Sequence, residues 1–352
     1  MKLKKLRKKI DQIDKRLVEL LNQRAEEVIQ VSLLKKAKKL SLYSPEREAS
    51  LLKNLKKIDS GPLAGEDIEN IFREILSACR SQRHSLKVAY LGPQGTFTHL
   101  AAIKKFGKKP DFIPVGTISD VFESVDKQQA EYGVVPIENS TEGVINYTLD
   151  MFFDSNLNIC AEATLNISHA LLGRNLKSIK RIYSNPQVFP QCRNWVGRYL
   201  KGAELVPVSS TAKAAQEAKK DHRGACIGNK ILANLYGLKV LASSIEDLSN
   251  NYTRFLVIAR KDSPPSGKDK TSILFSIKDR VGALHDILAS FKESGINLTK
   301  IESRPSKKKA WEYYFFVDFQ GHHNSPSVQK ALKKLARRCS FVKILGSYPR
   351  EN

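Results

Sequence analysis

The stretch Asn251-Tyr-Thr-Arg-Phe-Leu-Val-Ile-Ala259 begins with polar residues and continues as an unbroken apolar run. Such a run, bounded by turn residues, predicts a buried β-strand. Six more short apolar runs lie between residue 86 and this strand, separated by helical stretches and turns; they are residues 87–91, 112–115, 132–137, 181–183, 205–208 and 225–227. The alternation predicts an α/β fold over residues 86–262, with mostly parallel strands in two small lobes and a cleft between them.

Residues 1–85 follow a different period. Apolar residues recur every three or four positions from residue 3 to residue 34 without Gly or Pro, which predicts one amphipathic helix about 50 Å long. Two shorter helices are predicted at 45–58 and 66–84. Three such helices cannot cover the long apolar stripe. The sequence therefore predicts an all-α domain that a second copy completes in a homodimer.

The C-terminal part reads as a third domain. A polar linker rich in Pro and Gly is predicted at 263–270. The elements predicted over 271–352 follow the order β-α-β-β-α-β: strand 272–277, helix 282–292, strands 298–303 and 311–319, helix 327–338 and strand 341–345. This order is typical of a ferredoxin-like α+β unit.

The chain of 352 residues carries a net charge of +23, and the excess is spread evenly. Residues 1–85, 86–262 and 263–352 carry +8, +6 and +9. A nucleic-acid-binding protein is one class that this charge suggests, but no zinc knuckle, reading helix or aromatic-basic strand pattern is present. We predict no nucleic-acid partner, and we interpret the positive field as one that gathers small anions.

Other features limit location and cofactors. No run of about 18 apolar residues occurs, so no membrane span is predicted. Five widely spaced cysteines and a basic start without an apolar stretch predict a cytoplasmic protein with reduced thiols. The histidines lack metal-ligand spacing, so neither a metal site nor a cofactor is predicted. His322 and His323 follow Gly321, and we interpret them as a solvent-exposed loop.

Basic residues mark the first segment. Arg24 lies on the apolar track of the long helix, and a buried arginine needs an anion. Lys35 is about 20° away around the same helix and shares that face. Ser44 is a candidate N-cap for the second helix, with Glu48 facing back toward it. A surface helix with snorkelling basic side chains is the alternative.

This segment resembles the all-helical chorismate mutases, on Leu6-Arg7-x-x-Ile10, Asp14, Arg24, Lys35, Pro45-Glu-Arg-Glu48 and the stretch 71–79 that ends in Cys79. The resemblance implies a dimer that rearranges chorismate to prephenate, a reaction that needs a compact conformer and a well-placed cation. It implies Arg7 from one chain and Arg24 and Arg47 from the other as carboxylate ligands. It implies Lys35 on the breaking ether oxygen and Glu48 on the substrate hydroxyl.

The full set of implied mutase residues is Arg7, Arg24, Lys35, Ser44, Arg47, Glu48, Cys79 and Arg83. Three of them depart from the usual pattern of that family. Ser44 stands where many members have Asp, Cys79 where some have Ser, and Arg83 where a Gln or Glu usually supports the ether oxygen. A mutase half without activity is therefore an alternative.

Polar residues in the α/β segment follow strands and open helices. They form the stretches 92–99, 135–140, 184–191 and 209–212. Each stretch alone is compatible with a simple helix cap. Together, at the carboxyl ends of strands in a two-lobed frame, they predict a site for a polar anion.

Asn251-Tyr-Thr-Arg-Phe255 resembles the signature of the prephenate dehydratases, which have a two-lobed fold like that of periplasmic binding proteins. Gly92-Pro-x-Gly95, Pro136-Ile-Glu-Asn139 and the motifs around Gln191 match that family in order and spacing. The resemblance implies that prephenate loses water and carbon dioxide to give phenylpyruvate. It implies Thr253 as the donor to the leaving hydroxyl, with Arg254 orienting it or binding a carboxylate. The residues that it implies for substrate binding are Glu138, Asn139, Ser140, His169, Gln187, Gln191, Ser210, Thr211, Thr253, Arg254 and Phe255.

Three of these residues, His169, Thr253 and Arg254, carry more than one interpretation. Glu138 and Asn139 are expected to shape the polar side of the cleft. His169 lies among apolar residues, and a structural and a functional role are both open. The alternative to a catalytic role is that Thr253 and Arg254 are an ordinary pair of strand residues.

The C-terminal stretches 279–284 and 297–305 resemble the Gly-Ala-Leu and Glu-Ser-Arg-Pro motifs of the ACT domain attached to prephenate dehydratases. There the domain binds phenylalanine between paired subunits, which implies feedback inhibition. The residues implied for this site are Gly282, Ala283, Leu284, Asn297, Leu298, Glu302, Ser303 and Arg304. A purely structural dimerising unit is the alternative.

The order of the three segments resembles the bifunctional chorismate mutase/prephenate dehydratases of bacterial phenylalanine synthesis. The partners implied are chorismate, prephenate and phenylalanine. A rival from another class is a ligand-binding sensor without chemistry, since the two-lobed fold and the ACT domain both bind ligands. Formation of phenylpyruvate from prephenate would distinguish the two.

Overall fold

The computed structural model describes residues 2–38, 40–58, 60–82, 85–277, 280–305 and 313–351. The α-helices are α1 Lys2–Ala37, α2 Pro45–Ile58, α3 Gly65–Arg80, α4 Phe97–Phe106, α5 Ile118–Asp126, α6 Asn146–Asp154, α7 Val188–Gln191, α8 Arg193–Tyr199, α9 Thr211–Lys220, α10 Ile231–Tyr236, α11 Ala283–Glu293 and α12 Pro326–Arg338. The strands are β1 Lys87–Leu91, β2 Asp111–Val115, β3 Tyr132–Asn139, β4 Gly143–Val144, β5 Asn158–Asn166, β6 Ala170–Gly173, β7 Arg181–Ser184, β8 Glu204–Pro207, β9 Gly224–Gly228, β10 Lys239–Ser243, β11 Tyr252–Ala259, β12 Asp269–Ile277, β13 Leu298–Pro305, β14 Tyr313–Gln320 and β15 Cys339–Pro349. A short 3₁₀ turn spans Leu176–Ser178.

The chain divides into two compact units. The helical unit contains residues 1–87 together with residues 106–111, and the second unit contains the rest. The helical unit confirms the predicted all-α segment of one long and two short helices. The third helix ends at Arg80, whereas the prediction extended it to residue 84; residues 83 and 84 lie outside the described ranges.

The long helix α1 has no buried residue. Its apolar stripe is open along the length of the helix, because side chains such as Leu6, Ile10, Ile13 and Leu17 are more than half exposed. Helix-forming residues hold α1 together locally, but exposed apolar area of this extent is unusual for a chain that acts alone. The uncovered stripe is therefore available to a partner.

Residues 106–111 complete the helical unit on its other side. Phe106 is fully buried and its ring packs against Tyr43, with 4.8 Å between the centroids. Gly107 has φ +75°, and a β-carbon there would lie 2.3 Å from the Ser77 β-carbon. A side chain at this position would clash with α3, so glycine permits the close approach.

The second unit contains two α/β lobes, each built on its own sheet. The first sheet has the order β2-β1-β3-β11-β5, with β4 beside β3, and the second has the order β10-β6-β9-β7-β8. Separate buried clusters fill each lobe; Val135, Ile137 and Leu256 belong to the first, and Leu172, Ala215 and Cys226 to one of those in the second. The two-lobed α/β prediction is confirmed.

The predicted mostly parallel arrangement is wrong. Parallel pairing joins β1 to β3 and β7 to both β8 and β9. Antiparallel pairing joins β11 to β3 and β5, β4 to β3, and β6 to β9 and β10. The main cause is β11, which returns from the second lobe and inserts between β3 and β5. Apolar runs in a sequence carry no information on this direction.

The C-terminal sheet has the order β13-β14-β12-β15, with α11 and α12 as its helices. The predicted β-α-β-β-α-β order is confirmed. β12 begins at Asp269, inside the predicted linker 263–270. The sheet packs against the first lobe: Phe316 and Tyr348 belong to the same buried cluster as Val135. A β-carbon on Gly346 would lie 2.2 Å from the carbonyl oxygen of Ile159, so the two sheets approach at backbone distance.

The exposed-loop interpretation of His322 is wrong. His322 is only 4% exposed, and its Nε2 lies 2.9 Å from the carbonyl oxygen of Ser263. Its Nδ1 accepts from the Asn324 N–H at 3.1 Å. Asp262, His322 and His323 bring their ligand atoms within 4.8 Å of one another. Because both ring nitrogens of His322 are already hydrogen-bonded, this cluster is a structural contact between the linker and the C-terminal domain.

Candidate active sites

A hydrogen-bonded pair joins Asn139, at the end of β3, to Thr253, at the start of β11. The two residues are opposite each other in the strand register, and Asn139 Nδ2 donates to Thr253 Oγ1 at 2.7 Å. The backbone N–H groups of Thr141 and Glu142 each donate to Asn139 Oδ1 at 2.9 Å, which fixes the orientation of the amide. Thr253 Oγ1 is therefore an acceptor in this pair. Its own hydrogen has no acceptor among the residues that the structure describes.

The Asn139 amide belongs to a longer chain of hydrogen bonds across the two lobes. It also donates to Asn251 Oδ1 at 2.7 Å, and Asn251 Nδ2 donates to Gln191 Oε1 at 3.0 Å. Gln191, on α7 of the second lobe, donates to Glu142 Oε1 of the first lobe at 3.0 Å. Since an ionised carboxylate only accepts, Glu142 sets the direction of the whole chain. Every amide in it has one consistent orientation, which ends at Thr253.

His169 contacts this chain at Gln191. His169 Nε2 lies 2.9 Å from Gln191 Oε1, an atom that only accepts, so Nε2 carries a hydrogen. Burial lowers the pKa of His169, which is 1% exposed, and favours the neutral ring. Phe97 packs edge-on against the ring at 5.6 Å between centroids. In the described part of the chain, His169 Nδ1 has no hydrogen-bond partner.

The remaining predicted dehydratase residues lie in turns, caps and the core. Ser140 Oγ donates to the Asn250 carbonyl and accepts from the Tyr252 N–H. Ser210 Oγ accepts from the Lys213 N–H and caps α9. Three others follow the same pattern: Gln187 precedes α7, Thr211 begins α9 and Phe255 is fully buried. None of these side chains joins the described hydrogen-bond chain that ends at Thr253.

Glu138 and Arg254 do not meet Asn139 and Thr253. They occupy the alternate positions of the same two strands, so their side chains leave the opposite face of the sheet. Arg254 Nε donates to Glu162 Oε2 at 2.8 Å, and Arg254 NH1 donates to Asp318 Oδ2 at 2.6 Å. Both predicted residues are thus engaged on the side of the C-terminal sheet.

The helical unit brings Lys35 and Ser44 together at the junction of α1 and α2. Lys35 Nζ donates to Ser44 Oγ at 2.7 Å and to the Leu42 carbonyl at 3.3 Å. The Ser44 hydroxyl therefore binds Lys35. Ser44 also stands directly before α2, at the position of the predicted N-cap, where its carbonyl accepts from the Glu48 N–H at 3.1 Å. Burial lowers the pKa of Lys35, and the nearby Arg80 charge lowers it further, whereas Glu46 raises it.

Glu48 is held by a cation from α3. Arg80 NH1 donates to the Glu48 carboxylate, and Arg80 NH2 donates to the Phe106 carbonyl at 2.7 Å. The Arg80 guanidinium also lies over the Tyr43 ring, 5.2 Å from its centroid. Glu48 is therefore a fixed, charge-balanced carboxylate.

The other predicted mutase residues are less enclosed. Arg24 is half-buried, and its NH1 has no acceptor among the described residues. Arg7 and Arg47 are exposed, and Cys79 is buried on α3. Arg83 lies outside the described residues. A buried guanidinium nitrogen without an acceptor is unfavourable, so Arg24 is ready to receive an anion.

The residues predicted to bind phenylalanine lie around the start of α11 and along β13. Gly282 precedes α11 with φ +76°, a left-handed conformation, and the neighbouring Val281 is 99% exposed. Ala283 is buried, and Leu284 is half-buried. Asn297 precedes β13, where Leu298, Glu302 and Arg304 share the less exposed face and Ser303 the more exposed one. Arg304 NH2 pairs with Asp150 of α6 at 3.3 Å.

Sequence reasoning missed Asn251, Glu142 and Arg80. Asn251 begins the stretch Asn251–Phe255 and directly precedes β11. Its position two residues before Thr253, which places both side chains on one side of an extended segment, is the available signal. Glu142 and Arg80 gave no local signal, because their partners lie 49 and 32 residues away in the sequence.

A cationic helical face, a cluster of amides and hydroxyls between two α/β lobes, and a separate α+β domain on one chain define a multifunctional enzyme with a regulatory domain. Across the described ranges, no helix is both long and apolar enough to cross a membrane.

Comparison with known proteins specifies this class. Residues 6–84 match the model of chorismate mutase type II, residues 88–263 that of prephenate dehydratase and residues 271–337 that of the ACT domain. A bifunctional chorismate mutase/prephenate dehydratase of Aquifex aeolicus (strain VF5) is 46% identical over 354 residues, 99% of this chain and 98% of that one. One of Stutzerimonas stutzeri is 44% identical over 356 residues, with the same coverage.

A solved structure matches the second unit. The crystal structure of prephenate dehydratase from Arthrobacter aurescens in complex with L-Phe covers 75% of this chain and 90% of its own, at 36% identity and a TM-score of 0.71. The chain therefore belongs to the family of bifunctional chorismate mutase/prephenate dehydratases. It is an enzyme of phenylalanine biosynthesis with both activities, and the resemblance of its three segments is confirmed.

Proposed function

We propose that the two reactions take place at two separate sites, one in the helical unit and one in the two-lobed unit, and that phenylalanine binding at the C-terminal domain inhibits the dehydratase. The observation that carries the dehydratase assignment is the Asn139–Thr253 hydrogen bond of 2.7 Å. It leaves the Thr253 hydrogen available to a ligand in the cleft.

In the dehydratase reaction, Thr253 donates a hydrogen bond to the leaving hydroxyl of prephenate. The bond between the ring and the carboxylate carbon breaks, carbon dioxide is released, and the electron pair of that bond enters the ring. The carbon–oxygen bond breaks as well, and the leaving hydroxide takes a proton from solvent and departs as water. Aromatisation drives the reaction, so the protein mainly assists the leaving group. The Asn139 donor polarises the Thr253 hydroxyl and favours its donation. Gln191 and the neutral His169 hold the side-chain amides of this hydrogen-bond chain in their orientation.

In the mutase reaction, Lys35 meets the ether oxygen where negative charge develops, and Glu48 binds the substrate hydroxyl. Arg24 and Arg47 bind the carboxylates of the substrate. Ser44 and Cys79 line the pocket, and Arg83 is a further residue proposed to lie near the substrate. The unsatisfied Arg24 NH1 supports an anionic ligand at this face. The lowered pKa of Lys35 is compatible with a partly desolvated site.

We infer that the mutase works as a homodimer. Arg7 and Arg24 lie on one continuous helix, 17 residues apart, which separates them by about 25 Å. A small dianion cannot contact both, so Arg7 has to reach a site on a second copy. The open stripe of α1 supports this pairing, because a partner helix would cover it.

Phenylalanine is the proposed ligand of the stretch around Gly282 and of β13, which contains Glu302, Ser303 and Arg304. β13 is an edge strand, so a second copy can extend this sheet and close the site. The L-Phe complex of the Arthrobacter aurescens enzyme supports this choice of ligand. A cytoplasmic location is proposed from the free state of all five cysteines.

Mixing two inactive variants tests the shared mutase site. We expect Arg7→Ala and Lys35→Ala each to lose most of the mutase activity. After subunit exchange, about half of the dimers would be mixed, each with one intact site of two, so about a quarter of the wild-type rate should return. The dehydratase rate serves as the control, since neither variant touches that site. A mixture as inactive as its components would contradict the shared site.

A further inference from the structure

One buried ionic cluster connects the dehydratase strands to the C-terminal sheet. Each of the three adjacent dehydratase strands contributes one member: Glu138 from β3, Glu162 from β5 and Arg254 from β11. Each of the four C-terminal strands also contributes one: Lys270 from β12, Lys300 from β13, Asp318 from β14 and Tyr348 from β15.

Arg254 is the centre of this cluster. Its NH1 donates to Glu138 Oε1 at 3.0 Å and to Asp318 Oδ2 at 2.6 Å, and its NH2 donates to the Tyr348 hydroxyl at 2.9 Å. Asp318 is fully buried. Together with the bond from Nε to Glu162, four of the five guanidinium N–H groups donate to acceptors within this cluster. This geometry favours a role within the cluster over the binding of a substrate carboxylate.

Charge in the cluster is balanced. Three carboxylates face three cations: Lys270 binds Glu162 at 2.8 Å, and Lys300 binds Glu138. Burial alone would raise the pKa of Glu138, but Lys300 and Arg254 hold it below its ordinary value. Removing one partner from such a buried pair leaves an uncompensated charge. Because separating the first dehydratase sheet from the C-terminal sheet would leave such charges unpaired, we expect the two sheets to move as one body.

The cluster lies directly behind the dehydratase site. Arg254 is the strand neighbour of Thr253, and Glu138 is the strand neighbour of Asn139. On the other side, Lys300 shares one face of β13 with Glu302 and Arg304, because these positions alternate by two. A continuous set of contacts therefore runs from the proposed phenylalanine strand to the proposed catalytic pair.

We propose that Lys300 and Asp318 are positioning residues for the dehydratase reaction: they hold Glu138 and Arg254, and thereby set the geometry of Asn139 and Thr253. The same contacts transmit the state of the C-terminal domain to the site. This inference rests on the proposed roles of Thr253 and Asn139. In it, Arg254 and Glu138 support these two residues from the opposite face of the sheet and do not bind the substrate.

The test uses the full chain and prephenate as substrate. In Lys300→Met, which keeps an unbranched side chain but removes the charge, we expect kcat of the dehydratase to fall about tenfold. KM should change by less than about twofold, since Lys300 does not touch the substrate. The phenylalanine concentration that gives half-maximal inhibition should rise by about tenfold as well. Lys300→Arg should restore most of both. Lys334→Met, which removes the exposed Lys334–Glu293 pair within the same domain, is the matched control.

Asp318→Asn is the second variant and should show the same split between kcat and KM. If it does not fold, Lys300→Met alone decides. A kcat within about twofold of wild type in folded Lys300→Met, or a loss that Lys300→Arg does not restore, would overturn the inference. Failure of the proposed function would look different. In that case the wild-type chain would not convert prephenate, or Thr253→Ala would retain the wild-type rate.

Discussion

The helical unit and the two-lobed unit build their sites in opposite ways. In the two-lobed unit, Asn139, Gln191, Asn251 and Thr253 are joined by hydrogen bonds within a single chain, and each amide has one orientation. In the helical unit, Arg24 has an unsatisfied NH1 and Arg7 stands exposed on a helix without a buried residue. The first set of residues is preorganised by its own hydrogen bonds, whereas the second leaves a donor unsatisfied, as expected for the proposed site that a second copy completes.

The chemistry of the ligands accounts for this difference. Assisting a leaving hydroxyl requires one weak donor held in an exact direction, which a network of neutral amides provides. Compressing a flexible dianion requires several cations around it, and those cations repel one another on one small unit. In the proposed homodimer, these cations come from two copies of the chain, and the bound ligand would neutralise their charge.

The largest expected effect is the loss of dehydratase activity in Thr253→Ala. Removing the donor to the leaving group should lower kcat by about 100-fold or more, with the mutase rate unchanged. Thr253→Ser, which keeps the hydroxyl, is the control. A rate within about threefold of wild type would refute the role of Thr253.

The same variant sharpens the comparison of the two sites. Because the proposed dehydratase site lies within one chain, a mixture of Thr253→Ala and Asn139→Ala should recover no activity after subunit exchange, in contrast to the mutase mixture. Recovery of dehydratase activity in this mixture would show that the site is shared between chains.

A smaller effect is expected from a charge on the stripe of α1. Ile10→Asp should separate the paired helical units and lower the mutase rate by about tenfold or more, since a buried unpaired carboxylate opposes association. The dehydratase rate should stay within about twofold. Gln12→Glu, on the opposite face of the helix, adds the same single negative charge and is the control. Sedimentation measures the assembly. Equal loss of both activities in Ile10→Asp would contradict the division of labour between the units.

The smallest effect concerns pH. His169 has a pKa below the ordinary 6.5 because it is buried. Between that lowered pKa and 6.5, the unfolded chain binds a proton that the folded chain does not. The free energy of unfolding of the two-lobed unit should therefore decrease as pH falls below 6.5, by at most about 1.4 kcal/mol per pH unit for this one proton. Above pH 6.5, His169 should make no contribution to the pH dependence.

Urea unfolding of wild type and His169→Gln, followed from about pH 8 to about pH 5, isolates this contribution. The variant should show the shallower dependence on pH. The described part of the helical unit carries no histidine, so its unfolding should show no corresponding difference between the two proteins. Identical pH dependence in both proteins would mean that His169 is not the group that titrates.

Local patterns predicted much of this molecule. The period of apolar residues located α1 to within a few residues, and the order of strands and helices located the C-terminal domain. Motifs in order identified Thr253, Asn139 and Lys35 as candidates. The motifs did not predict on which face of the sheet each residue lies. Arg254 and Glu138 sit beside Thr253 and Asn139 in the sequence, yet they point to the opposite side of the sheet and bind the C-terminal domain.

The sequence by itself determined the three segments, their fold classes and the family, because periodicity and motif order are local properties that survive without coordinates. Tertiary structure alone decided the antiparallel insertion of β11, the burial of His322 and the partners of Arg254. Those depend on residues that lie far apart in the sequence; Arg254 and Glu138, for example, are 116 positions apart. Contacts of that range follow from how strands cross and sheets pack, which no single stretch of sequence encodes.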